Sequence, residues 1–120
     1  MSKKTLVLGA SLKSNRYSNL VIHRLVNHQQ NVVAIGLREG EVSGIRIETA
    51  LIDFDNVDTI TLYLNPMRQQ QYYEYIVSLQ PKRVIFNPGT ENSELYQILS
   101  RANIKAEVAC TLVLLSTNQY

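Results

Sequence analysis

The chain has 120 residues, 45% of them hydrophobic and 18% charged, with a formal net charge of +2. That length suits one domain with its own hydrophobic core, and with no basic run the chain is not expected to bind nucleic acid or a membrane surface through bulk charge. A single cysteine, Cys110, excludes an internal disulfide and a multi-cysteine metal site, and no apolar stretch approaches transmembrane length.

Met1-Ser2-Lys3-Lys4 leads directly into a strand and does not read as a signal peptide, so a cytoplasmic location is expected by elimination. The aliphatic and β-branched run at 4–9 predicts a buried strand. Ser18 is placed to cap a helix that runs to about His28, with Val21, Ile22, Leu25 and Val26 as its buried stripe. A second strand is expected at 31–35, a turn-rich loop at 36–44, a short irregular element at 45–54 and a third strand at 57–64. Asn65-Pro66 starts a helix, because asparagine caps well and proline lacks an N–H that the first turn leaves unpaired anyway. Gln80-Pro81 stops that helix after Leu79, and residues 83–86 form a fourth strand. Asn87-Pro88-Gly89-Thr90 is a turn, and Asn92 caps a helix over 93–102 with Leu95, Ile98, Leu99 and Ala102 inward. A fifth strand at 105–109 and a short helix or apolar tail at 111–117 complete the pattern.

Regular alternation of strand and helix implies right-handed crossovers and a mostly parallel sheet. The expected fold is therefore α/β: a Rossmann-like, doubly wound single domain over 1–120, with about five strands and helices on both faces. Such sheets bind ligands at the carboxyl ends of their strands, near the point where strand order reverses. Gly9-Ala10-Ser11, Gly36-Leu37-Arg38, Leu64-Asn65-Pro66 and Asn87-Pro88-Gly89 all fall at strand ends and are expected along one edge.

The first of these is the most informative. A strand running through Gly9-Ala10-Ser11 into a helix is how α/β proteins build a phosphate site, with loop amides and the helix N-terminus facing an anion. The three-glycine dinucleotide fingerprint is missing, and the loop is longer than that fingerprint allows. Ser11, Lys13, Ser14, Asn15, Arg16 and Ser18 supply side-chain donors instead, Arg16 with a planar fork that pairs two phosphate oxygens. NAD sites usually place a carboxylate at the end of the second strand, whereas Arg38 there favours a ribose carrying a phosphate, as in NADP or coenzyme A. Glu39 follows directly and leaves NAD open.

In order and spacing, these segments resemble the small stand-alone CoA-binding proteins, which are similar to the N-terminal domain of the succinyl-CoA synthetase α subunit. The resemblance spans nearly the whole chain. It rests on Val7-Leu8-Gly9-Ala10-Ser11, Arg16-Tyr17-Ser18, Gly44, Asn65-Pro66, the run from Asn87 to Asn92, and Cys110 near the C-terminus. It implies a bound coenzyme A with Gly9, Ala10, Ser11, Arg16 and Ser18 around the pyrophosphate and Arg38 at the adenosine end. Asn65, Pro66, Asn87 and Gly89 are implied as walls along the sheet edge. The chain departs from the family where Gly36-Leu37-Arg38 stands in place of an asparagine-proline pair followed by lysine, and where Thr111 rather than proline follows Cys110.

The remaining candidates have plainer readings. Cys110 is expected as a packing residue rather than a reactive thiol, and His23 and His28 as surface residues on different helix faces. Glu91 and Glu94 suit the positive end of a helix. Tyr72, Tyr73 and Tyr75, with Gln69, Gln70 and Gln71, make a polar-aromatic surface suited to homodimerisation. No catalytic constellation, metal spacing or Walker loop is visible. The expected function is a non-catalytic module whose partner is a small-molecule nucleotide, CoA or acyl-CoA. An NADP- or NAD-binding redox regulator or small oxidoreductase, and an interaction module with a decayed nucleotide site, are the alternatives.

Overall fold

A computed structural model describes residues 3–120; Met1 and Ser2, half of the segment read against a signal peptide, lie outside the described residues. In chain order the elements are β1 (Lys4–Ala10), α1 (Tyr17–Asn27), β2 (Asn31–Gly36), β3 (Gly40–Val42), β4 (Ile45–Glu48), β5 (Thr59–Leu62), α2 (Pro66–Gln69), a 3-10 turn (Gln70–Tyr72), α3 (Tyr73–Leu79), β6 (Arg83–Phe86), α4 (Ser93–Arg101), β7 (Lys105–Val108) and α5 (Thr111–Ser116). They form one seven-stranded sheet in the order β3-β4-β2-β1-β5-β6-β7.

The expected five strands are thus seven, and the two extra ones lie in 36–54, read from the sequence as a loop and an irregular element. β3 and β4 make an antiparallel hairpin with Val42 opposite Ile45. Its two-residue turn, Ser43 and Gly44, has φ of 51° and 79°. Positive φ at both positions matches the right-handed twist of the flanking strands. The alternating run Glu41-Val42-Ser43-Gly44-Ile45-Arg46-Ile47 carries this hairpin signal in plain view. All other pairings are parallel.

Side chains of β1 alternate between two cores. Leu6 and Leu8 join Ile60, Leu62, Val84 and Phe86 beneath α3 and α4, which contribute Ile76, Leu79, Leu95 and Leu99. Val7 joins Ala34 and Ile47 beneath α1 and α5, through Val21, Ile22, Leu25 and Leu115. Helices on both faces explain why the central strands are buried on both sides, with Thr5, Thr59 and Thr61 among their fully buried residues.

Two helix expectations change. Ser18 is not a cap: α1 begins at Tyr17, Arg16 occupies the capping position without a side-chain cap, and Ser18 is buried. The helix expected from Asn65 to Leu79 is broken by the 3-10 turn. Asn65 does cap it, accepting the Arg68 N–H at 2.9 Å, and Pro66 takes the first helical position. Asn92 caps α4 as expected, accepting the amides of Glu94 and Leu95.

Candidate functional site

The strand order reverses at β1, with β2 on one side, reached through α1, and β5 on the other, reached from β4 through the helix-free segment 49–58. Beyond the carboxyl ends of these three strands the sheet edge opens into a cleft of about 810 Å³. The place is where parallel sheets bind ligands.

Its floor depends on two glycines. Gly9 has φ of +96°, and a Cβ there would lie 3.0 Å from the Tyr63 carbonyl carbon. A Cβ at Gly36 would lie 2.3 Å from the Ala10 carbonyl oxygen, so the ends of β1 and β2 meet with no side chain between them. Over this floor runs the loop from Ser11 to Arg16. Asn19, buried in the first turn of α1, donates to the Ser11 carbonyl at 2.9 Å, and the Lys13 amide donates to the Ser11 hydroxyl at 3.1 Å. Leu12 lies against Gly40, so the unexpected strand β3 supports this loop from outside.

No acidic residue occupies the first turn of α1. Its positive end is therefore not offset by a carboxylate of its own first turn. The cleft lining collects Lys13, Arg16, Arg38 and Arg68 and, among the described residues, no carboxylate. Tyr63 also lines it. Burial pushes the Tyr63 hydroxyl well above its usual range, so the ring contributes no negative charge.

Seven of the ten residues expected in the site line this one cleft: Gly9, Ala10, Ser11, Arg16, Ser18, Arg38 and Asn65. Pro66, Asn87 and Gly89 do not. Pro66 belongs to the first turn of α2. Asn87 is buried and spends its amide on Thr61, Leu62 and Thr111. Gly89 lies in the next turn, its N–H donated to Glu91 Oε1 at 2.8 Å. The strand β6 end is one strand too far from the reversal point to wall the cleft. Arg68 and Tyr72, which the sequence reading did not place here, line it instead. Arg68 comes from α2 and Tyr72 from the last position of the 3-10 turn that follows it, a placement without a local sequence signal.

The tyrosine-rich surface is also reassigned. Tyr72 faces the cleft, Tyr73 donates to Glu94 at 2.9 Å, and Tyr75 is buried with its hydroxyl on the Ile52 carbonyl. The three therefore do not form one exposed face. Cys110 is half-buried immediately before α5.

A family model described as a CoA binding domain matches residues 3–116. The chain belongs to this CoA-binding domain family. No curated protein matches the chain. Among solved structures, the CoA-binding domain is similar to an uncharacterized protein at 48% identity, with 100% of this chain and 99% of that one covered and a TM-score of 0.97. A hypothetical protein from Pyrococcus horikoshii OT3 shares 26% identity over 93% of this chain and 80% of its own, with a TM-score of 0.82. A protein from Thermus thermophilus shares the fold, with a TM-score of 0.87 at 19% identity over 99% and 91% of the two chains. Among the described residues no three His, Cys, Asp or Glu side chains group as metal ligands, and no helix of the domain is long and apolar enough to cross a membrane.

Proposed function

We propose that this CoA-binding domain holds coenzyme A or an acyl-CoA as a non-catalytic module, with the pyrophosphate over the loop after β1. The observation that carries the reading is the cleft lining: four cations and no carboxylate among the described residues, at the reversal point of a parallel sheet. CoA carries a diphosphate and a separate phosphate monoester. Its charges thus divide between two places, as Arg16 beside α1 and Arg38 at the end of β2 are divided. Arg16 and the first amides of α1 suit the diphosphate, and Arg38 suits the monoester on the ribose. Membership in the family supports the same ligand.

Arg38 would meet the ribose phosphate of NADP in the same way, which favours NADP over NAD as the second reading. Calorimetric titration with CoA, dephospho-CoA, NADP and NAD separates the two. CoA should bind best, and dephospho-CoA should bind more weakly. Tighter binding of NADP would replace the reading with the second one, and no heat with any of the four at millimolar concentration would remove both.

A further inference from the structure

We propose that Gln69 and Asn92 are a buried positioning pair that holds Arg68 and Tyr72 to the β5 side of the cleft. The ligand part of this inference rests on the CoA reading above; the geometric part does not.

Gln69 is 0% exposed, and neither it nor Asn92 lines the cleft. A fully buried glutamine persists only where its amide is satisfied. Here its Nε2 donates to the carbonyls of Leu64 and Thr90, both at 2.8 Å, and its Oε1 accepts from Asn92 Nδ2 at 2.9 Å. Asn92 Nδ2 also donates to the Tyr73 hydroxyl at 2.8 Å, while Asn92 Oδ1 caps α4. Two amides thereby join the end of β5, the turn after β6, the start of α4 and the start of α3.

Helix α2 is four residues long and runs into a three-residue 3-10 turn. A segment this short has no helical stability of its own. Two things fix its direction: the Asn65 cap at its start and the Gln69 amide at its end. Arg68 precedes Gln69, and Tyr72 lies three residues beyond it. With Gln69 locked inward, its neighbours are turned to the cleft, and Asn92 supplies a side-chain donor that fixes the Gln69 amide, beside the Leu64 and Thr90 carbonyls. A residue from the far side of the sheet edge thus acts on the ligand site without touching it.

The test uses two variants of the full chain. Asn92→Asp keeps the oxygen that caps α4 and removes the amide that serves Gln69 and Tyr73. Gln69→Met keeps the side-chain volume and removes all three hydrogen bonds of Gln69. In the ligand-free protein, each should speed amide hydrogen exchange at 67–73 by about tenfold while leaving the amides of α1 unchanged. With CoA as probe, Asn92→Asp should weaken binding by about tenfold in the otherwise unaltered chain, yet have almost no effect where Arg68 and Tyr72 are already alanine, since coupled residues are non-additive. Unchanged exchange at 67–73 in the folded Asn92→Asp protein would overturn the inference, as would an equal loss of affinity in both backgrounds. If the unaltered chain does not bind CoA, the ligand reading fails by itself, and the exchange measurement still decides the positioning role. Should Gln69→Met not fold, Asn92→Asp carries both measurements.

Discussion

Asn87 accepts the backbone N–H of Thr111 at 2.9 Å, tying the end of β6 to the first residue of α5. Its amide also donates to the Thr61 hydroxyl at 2.7 Å and the Leu62 carbonyl at 2.8 Å, and the hydroxyls of Thr61 and Thr111 pair at 2.9 Å. All of these contacts are buried, so every partner depends on the others for its hydrogen bonds. Asn87→Ala leaves buried groups on β5 and α5 unpaired. It should cost about 2–3 kcal/mol in urea unfolding, the scale of buried polar groups left unsatisfied. Because Asn87 lies outside the cleft, the affinity of the folded variant for CoA should be unchanged.

Arg16 and Arg38 should divide the ligand between them. Arg16→Ala removes a charged hydrogen-bond donor and should weaken CoA and dephospho-CoA alike, by about 1–3 kcal/mol. Arg38→Ala should weaken CoA and leave dephospho-CoA unchanged. Calorimetry on the two variants with both ligands checks this. A loss for both ligands in Arg38→Ala would move that arginine from the monoester to the diphosphate.

Gly36 allows β1 and β2 to converge under the cleft. The atom that a new Cβ would meet, the Ala10 carbonyl oxygen, is backbone and has no rotamer to escape into. Gly36→Ala should therefore destabilise the domain by about 1–3 kcal/mol, as forced overpacking does, and lower its melting temperature. The displaced loop at Gly9-Ala10-Ser11 should also lose affinity for CoA. A melting temperature equal to that of the unaltered chain would show that the two strand ends can separate without strain.

Alkaline pH should destabilise the domain through its burial-shifted tyrosines, Tyr63 and Tyr75 among them, and Tyr75 gives a testable share. Burial, with the Asp53 carboxylate as a lesser cause, pushes the Tyr75 hydroxyl up from 10.0 to about 12. The folded state thus prefers the neutral phenol more strongly than the unfolded chain does. The stabilisation this represents is present in full below the unfolded value and is lost as pH rises through the folded one. Unfolding free energy should accordingly fall between about pH 10 and 12. Tyr75→Phe, which loses the bond to the Ile52 carbonyl, should start less stable and fall less steeply over that range.

Much of the architecture was legible because it is written in short-range chemistry. The caps at Asn65 and Asn92 and the stop at Gln80-Pro81 act within a turn of their own residues. The β3–β4 hairpin was equally legible, through Ser43-Gly44 between alternating apolar residues, and reading the stretch as loop overlooked that signal. Ser18 failed as a cap for a different reason. Its hydroxyl type suits that position, but the helix begins two residues earlier than a Ser18 cap requires, at Tyr17 after Arg16, and carries Ser18 into the interior.

By itself, the sequence determined the alternation of strands and helices and the Gly9-Ala10-Ser11 loop with Arg16 and Arg38 at neighbouring strand ends. Those features depend on periodicity and on glycine geometry, both local. Only the tertiary structure decided which strand ends share a cleft. It left Asn87 and Gly89 outside, because β6 stands one strand beyond the reversal point. It brought Arg68 and Tyr72 inside, on either side of a buried Gln69 that points the other way. Helix phase and strand order arise from contacts between residues far apart in the chain, and a local pattern does not record them.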